Sequence, residues 1–394
     1  MQRFPVVIIG AGPTGLGAAQ RLDELGAGEF LVLERNPHPG GLAASFTDDA
    51  GFTWDIGGHV LFSHYEYFDR LVDRLMGDDF LEHQRESWVR ACGTWVPYPF
   101  QNNVRHLPKE DLWRCVRGLL PGRRPQGPPE NFHQWIEHVF GRGIAETFLW
   151  PYNYKVWATP PELMGFSWIG ERVSMVELEG VLENVLFERD DVAWGPNNTF
   201  RFPAAGGTGE IFRRLAATLG GRIRYGAEVA GIDAGAKTVT TTGGETLAYD
   251  TLISTAPLDT LCRDWLHSPD PALADAAEDL AHNSVHVSGI GVDGTHVDWP
   301  GEDTRCWMYF PEDDCPFYRV TNFHNYAPAN VPAPGAQRAL MCETSMSAHK
   351  PEDPATLGER AVQGLVNTTL LRGEDTGRIA TRWQYLADYA YPVP

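Results

Sequence analysis

Gly10, Gly12 and Gly15, in the run Gly10-Ala11-Gly12-Pro13-Thr14-Gly15, have the spacing at which a tight backbone turn can come close to a diphosphate. The first glycine permits the turn, the second lets the main chain approach the phosphates, and the third lets a helix pack closely on the preceding strand. Glu34 follows 24 residues after Gly10, near the distance at which an acid hydrogen-bonds a ribose hydroxyl, and its charge disfavours a ribose phosphate. Two further glycine pairs follow, Gly40-Gly41-Leu42 and Gly57-Gly58-His59. NAD enzymes have no need of them, whereas FAD lies extended along its domain and can use them. The chemistry expected is that of a flavin.

The elements that position these residues read as strand, helix, strand. Val6 to Ile9 is a short β-branched run, Leu16 to Leu25 carries helical apolar spacing, and Leu31 to Leu33 is apolar again. Helical periodicity returns over Lys109 to Leu120 and again over Phe132 to Phe140, where Gly141 is expected to stop the second helix. Pro121 to Glu130 reads as a loop between them. Strands are expected at Arg222 to Tyr225, Thr238 to Thr242 and Thr251 to Ser254, and the aromatic stretch from Trp307 to Met341 is strand-like. The predicted class is α/β: a Rossmann-type FAD-binding domain with a helical insertion and a separate antiparallel sheet. The FAD domain is expected over 1–90 and 205–290, a mainly helical substrate domain over 104–190, and the sheet domain over 91–103, 191–204 and 291–394.

At 394 residues the chain can bury a sizeable core. Its 32 basic and 52 acidic residues give a net charge of −20, which argues against a nucleic-acid partner and means that a few specific arginines or helix amino-termini must hold any phosphorylated ligand. Six scattered cysteines without a CxxC pair, and no zinc-finger histidine spacing, point to free thiols, a reducing compartment and no metal. The apolar run before Gly10 is too short for a signal peptide or membrane helix, so the chain is expected to be cytoplasmic and away from membranes.

Longer strings carry a resemblance. GAGPTGLGAA, PGGLA at Pro39 to Ala43, DIGGHVLFSHY at Asp55 to Tyr65, WVPYPFQNN at Trp95 to Asn103, PYNYKVWA at Pro151 to Ala158, GERV at Gly170 to Val173, WGPNNTFRFPAAGGTG at Trp194 to Gly209 and YFPEDDCPFYR at Tyr309 to Arg319 are similar to UDP-galactopyranose mutases, the eukaryotic-type branch above all. The resemblance implies a reduced flavin whose N5 atom attacks the anomeric carbon, displaces UDP and lets the sugar reclose as a furanose with no net redox change, NADPH priming the flavin. It implies that Arg172 and Arg319 clamp the substrate diphosphate and that His59 lies on a loop that moves with flavin reduction. Tyr98, Phe100 and Gln101 would contact uracil and ribose. Asn153, Tyr309 and Tyr326 would bond diphosphate or sugar, Trp157 and Asn197 would form active-site wall and flap, and Arg85 and Ser87 would bind NADPH. Arg35, Val229 and Ser254 join Pro13, Thr14 and Leu42 in the expected cofactor set.

Two departures stand out. Ala193 occupies a flap position where similar enzymes carry asparagine, and the strings end at YPVP, where the family continues into a segment completing the flavin pocket. An amine-oxidase-type FAD oxidoreductase is the alternative, sharing the glycine motif, the acid and the Ile253 to Pro257 string. Its substrates have no use for two phosphate-binding arginines.

Overall fold

The computed structural model describes residues 1–170, 173–192, 195, 198–267, 270–297, 299–300 and 303–394. The chain packs as two compact units. The first comprises Met1–Phe46, Ser63–Phe80 and Pro203–Ala281, the second Thr47–Phe62, Leu81–Phe202 and His282–Pro394.

In the first unit, β1 (Gln2–Ile9) runs between β2 (Phe30–Glu34) and the strand Thr246–Ser254, parallel to both. A turn leads from β1 into α1 (Pro13–Glu24), whose Leu16, Ala19 and Gln20 face inward. Ile223–Tyr225 adds a parallel edge to β2, while Val229–Asp233, Thr238–Thr241 and Thr246–Ser254 form an antiparallel meander at the other side. Val7, Leu31, Leu33, Ile232, Val239 and Leu247 form the apolar layer on this sheet. The meander's first strand and the front half of Thr246–Ser254 were not expected from sequence, because Gly231 and Asp250 interrupt their apolar patterns.

The second unit holds a seven-stranded sheet. Its order is Ile379–Pro392, His282–Asp293, Gln337–Met346, Arg319–Asn322, Trp307–Tyr309, Ser87–Ala91 and Thr94–Pro97. Neighbours are antiparallel except Trp307–Tyr309 and Ser87–Ala91, which pair in parallel. Against it lie α2 (Lys109–Leu119), α3 (Phe132–Ile144) and α4 (Trp150–Trp157), whose core joins Val89 and Val96 of the sheet edge, and Phe100 just beyond it, to Phe132, Phe140 and Phe148.

Gly141 does not stop α3. Its φ of 69° kinks the segment, and the chain re-enters helix immediately. The glycine serves a crossing instead: a Cβ at Gly141 would lie 2.3 Å from the carbonyl oxygen of Gly118, and one at Gly143 would lie 2.1 Å from that of Arg114. Here the two helix backbones touch, which only glycine permits.

The same constraint governs the first turn. A Cβ at Gly15 would stand 1.9 Å from the Gly10 carbonyl oxygen, so α1 could not stay packed on β1. Gly17, one half-turn on, has no atom within 4 Å of its Cβ position. Gly15→Ala is therefore expected to destabilise the protein by about 1–3 kcal/mol through overpacking, whereas Gly17→Ala is expected to stabilise by roughly 0.5–1 kcal/mol through helix propensity. Urea unfolding of both variants checks this; equal shifts in the same direction would remove close packing as the reason for Gly15.

Candidate active site

The first unit builds a concave turn from backbone. Gly10 donates its N–H to Leu33 at 2.8 Å and takes a φ of 98°, where a Cβ would meet the Thr255 hydroxyl at 2.4 Å. Gly40 donates to the Ala11 carbonyl at 2.8 Å, and a Cβ at Gly41 would lie 3.1 Å from the Cα of Gly12. Two glycine loops thus meet backbone to backbone. At the start of α1 no side chain caps the helix and no acid lies in its first turn, so its amide groups and the positive end of its dipole remain available to phosphate oxygens.

Glu34 is buried at the end of β2, and its carboxylate accepts from the Ala11 N–H at 2.7 Å and from both the backbone and the side-chain amide of Asn36 at 2.8 Å. These bonds fix the acid beside the turn, where a ribose edge is expected. Pro13, Thr14, Arg35 and Leu42 are exposed, Val229 is buried in the outer strand of the meander, and Ser254 pairs with Ile9 at the end of its strand.

The second unit gathers most of the remaining expected residues around the strand Arg319–Asn322. Arg319 faces Glu343 directly across the antiparallel register, and its Nε and Nη2 donate to the two carboxylate oxygens at 2.7 Å each. Glu343 also accepts from the Tyr318 hydroxyl at 2.9 Å and from the Gly58 N–H at 3.1 Å. Burial pushes this carboxyl upward, but the charge of Arg319 and the four donated bonds outweigh it and hold it below the usual carboxylate range. Glu343 is 1% exposed and Arg319 21%, so the guanidinium is anchored at its back and open at its front. None of the described residues accepts from Nη1 of Arg319.

Tyr309 lies on the adjoining strand, between the rings of Tyr98 and Tyr152 at 5.4 Å each, and its hydroxyl accepts a short bond from the Trp307 indole. The Arg85 guanidinium lies 5.4 Å over the Tyr98 ring. Arg85, Ser87 and Tyr98 line a cavity of about 760 Å³. Close to this cluster, several buried polar atoms have no hydrogen-bond partner among the described residues: His59 Nδ1, Ser87 Oγ, Thr321 Oγ1 and the Tyr326 hydroxyl. Such atoms are costly unless something else satisfies them, and a polar ligand does so. His59 is kept neutral by burial, which lowers its pKa, with Glu343 opposing.

Other expected residues have different surroundings. Phe100 is fully buried and packs on Phe148, and the Gln101 amide donates to the Ser174 carbonyl at 2.6 Å. Asn153 donates to Leu149 within the helical segment, and Trp157 packs edge-on against Trp168 and Tyr391. Arg172 and Asn197, with Ala193, lie outside the described residues. Glu343, Tyr152, Tyr318 and Thr321 were not anticipated. Glu343 carried one signal, an acid inside the apolar run Ala339 to Met346, which demands a buried partner.

Among the described residues no helix is long and apolar enough to cross a membrane, and all six cysteines are unpaired.

The family model for flavin-containing amine oxidoreductases matches residues 13–311. Among curated proteins, the flavin-containing amine oxidase A of Bos taurus is 24% identical over 259 residues, 61% of this chain and 46% of that protein. A chloroplastic/chromoplastic 15-cis-phytoene desaturase of Glycine max is 29% identical over 116 residues, 28% of this chain and 20% of that protein. The matches thus span less than half of these relatives' length. Among solved structures, a reduced UDP-galactopyranose mutase superposes with a TM-score of 0.94 at 45% identity, over 100% of this chain and 84% of that one. A putrescine oxidase with putrescine bound reaches 0.67 at 16% identity, over 100% and 88%, a likeness of fold alone. The chain carries the flavin-binding α/β fold of the flavin-containing amine oxidoreductases and belongs, among them, to the UDP-galactopyranose mutase family.

Proposed function

We propose that this protein is a flavin-dependent nucleotide-sugar mutase that interconverts UDP-galactopyranose and UDP-galactofuranose without net redox change. The observation that carries the reading is Arg319, held from behind by buried Glu343 and surrounded by tyrosines and by buried polar atoms without a hydrogen-bond partner among the described residues. A guanidinium fixed in this way aims its free donors at a phosphate oxygen, and an ammonium, itself only a donor, cannot accept from it.

The glycine turns and the amino-terminus of α1 fit the diphosphate of FAD, with Glu34 beside the ribose. A reduced flavin held there would supply an electron-rich nitrogen as the nucleophile, with no net redox change. This chain's residues do the rest. Arg319 holds the leaving nucleoside diphosphate and stabilises the charge that grows on it. Tyr309 and Tyr326 offer hydroxyls to the same ligand, and Tyr98 an aromatic face to the base. Through the resemblance Asn153 is assigned to the diphosphate or sugar, Trp157 to the active-site wall, Arg172 to the clamp and Asn197 to the flap. His59, neutral, can accept or donate one hydrogen bond on a loop whose two glycines let it shift. Arg85 and Ser87 are assigned to the reducing nucleotide, NADPH. The free thiols support a reducing, cytoplasmic setting.

The family-model match favours one second reading, an amine-oxidising flavoenzyme. Activity without reductant separates the two. Turnover of UDP-galactopyranose, followed by chromatography of the sugar nucleotides, is expected only after dithionite or NADPH has reduced the flavin, with no hydrogen peroxide formed per turnover. Equal conversion in air with no reductant sinks the mutase reading.

The arginine and its anchor give a second test. Charge-assisted contacts to phosphate contribute about 1.5–3 kcal/mol each, so Arg319→Ala should lower kcat/KM by roughly ten- to a hundredfold or more, with lysine restoring only part. Glu343→Gln removes the charge that orients Arg319 and should cost about tenfold in kcat/KM, or roughly 1.4 kcal/mol. FAD content should be unchanged in all three. Wild-type kinetics in Arg319→Ala would remove the phosphate-binding role.

A further inference from the structure

One buried charge in the second unit has no part in the site described so far. Lys155, on α4, is 4% exposed, and its Nζ donates to the carbonyl oxygens of Glu312 at 2.8 Å and Cys315 at 3.0 Å, with the Cys315 sulfur 3.6 Å away. Among the described residues no carboxylate is bonded to it. Burial lowers its pKa, and the neighbouring thiol gives it no anion, because burial also pushes Cys315 up to about 12. A buried ammonium that bonds only carbonyls is a costly arrangement, tolerated where its directional bonds serve a purpose.

The two ends it joins are informative. α4 is docked from one side: the helix-end carbonyls of Lys155, Val156 and Ala158, which have no acceptor role left within the helix, receive bonds from Ser345 and Asn283 of the sheet and from Ser347 just past its strand. Tyr154 adds a bond from its hydroxyl to the His349 carbonyl at 2.8 Å. From this fixed base the Lys155 side chain reaches the connection 310–318. That connection joins the strand ending in Tyr309 to the strand beginning with Arg319. α4 itself carries Asn153 and Trp157.

We propose that Lys155 is a positioning residue, bracing the 310–318 connection against α4 so that Tyr309 and Arg319 keep a fixed spacing from Asn153 and Trp157 around a nucleoside diphosphate sugar. The inference rests on the reading of the site given above. It assigns Lys155 no contact with the substrate: the residue acts through the loop whose carbonyls it holds.

The test uses the full chain loaded with FAD, comparing wild type with Lys155→Met, Lys155→Gln and the control Lys350→Met, a neighbouring lysine that bonds the Ser345 carbonyl and Glu352 and not the 310–318 connection. Two quantities are read: hydrogen exchange of peptides covering 310–318, and affinity for UDP by calorimetry. Loss of two buried charge-assisted bonds should speed exchange in that connection by about tenfold or more and weaken UDP binding by a comparable factor, with the glutamine variant between methionine and wild type and with FAD content and exchange of the 2–34 segment unchanged. Lys350→Met should leave the connection as in wild type. Should Lys155→Met not fold, the glutamine variant carries the comparison. Unchanged exchange overturns the brace. Faster exchange with unchanged UDP affinity overturns the positioning role. If wild type itself binds no UDP, the mutase reading fails while the exchange arm still decides whether Lys155 holds the loop.

Discussion

The ion pair between Arg319 and Glu343 is the constraint around which the second unit is arranged. Both side chains stand on one face of neighbouring strands in direct register, so the sheet itself brings them together. The pair is stable in place only because every acceptor position on Glu343 is used: two by Arg319, one by Tyr318 and one by the backbone of Gly58. Take away Arg319 and a buried carboxylate is left without its counter-charge, the situation that makes broken buried pairs so costly. A Cβ at Gly57 would come within 3.1 Å of the same carboxylate, and one at Gly58 within 2.7 Å of the Thr321 hydroxyl, so the glycines are there because strand and loop approach to contact distance.

That arrangement links a loop and an arginine through a single carboxylate. The Gly57 to His59 segment is held by one backbone bond to Glu343, a modest tether compared with the two bonds that hold Arg319. A segment tied by one neutral donor can exchange that bond for another at small cost, whereas Arg319 cannot leave without stranding a charge. Mobility is thus expected in the histidine loop and rigidity in the arginine, as a site needs when one part must respond to the cofactor and another must hold a leaving group in fixed geometry.

What the sequence disclosed follows the same physics. Gly10, Gly12 and Gly15 were legible because their roles are backbone roles, the spacing of residues without side chains recording close approaches directly, and Glu34 because it ends the next apolar strand at a characteristic distance from them. β1, α1 and β2 were legible because each is apolar at its own period. The strands His282–Asp293 and Ile379–Pro392 were not. The first is interrupted by serine, histidine and glycine in positions that only a two-sided burial explains, and the second is a sheet edge whose outward residues break the apolar run. Glu343 was hidden for a different reason: an ion pair depends on register between segments 24 residues apart, and no single-strand pattern encodes register. Phe100 and Gln101 show the converse. Their types suit a base-binding patch, and what the sequence does not disclose is that the Phe100 ring sits in the core and the Gln101 amide bonds the Ser174 backbone, interactions decided by packing of distant segments.

The pairing also changes what kind of recognition the site can exert. In a chain of net charge −20, a lone arginine would act as a point of attraction for any anion. Anchored to Glu343, Arg319 contributes almost no net charge, and what remains is direction: the front of a planar guanidinium at a fixed angle, with the Tyr309 and Tyr326 hydroxyls nearby and Thr321 and Ser87 waiting for partners. Such a set discriminates by geometry, because a ligand must place several acceptors at once to satisfy buried donors, and one that places only some leaves the rest unpaired at about 1–3 kcal/mol each. A diphosphate joined to a sugar and a base has that many acceptors along its length, and a simple anion does not. On the proposed function, the neutralised arginine would let an acidic protein bind an acidic ligand selectively: the attraction is satisfied within the fold, and the hydrogen-bond pattern is left to choose the partner.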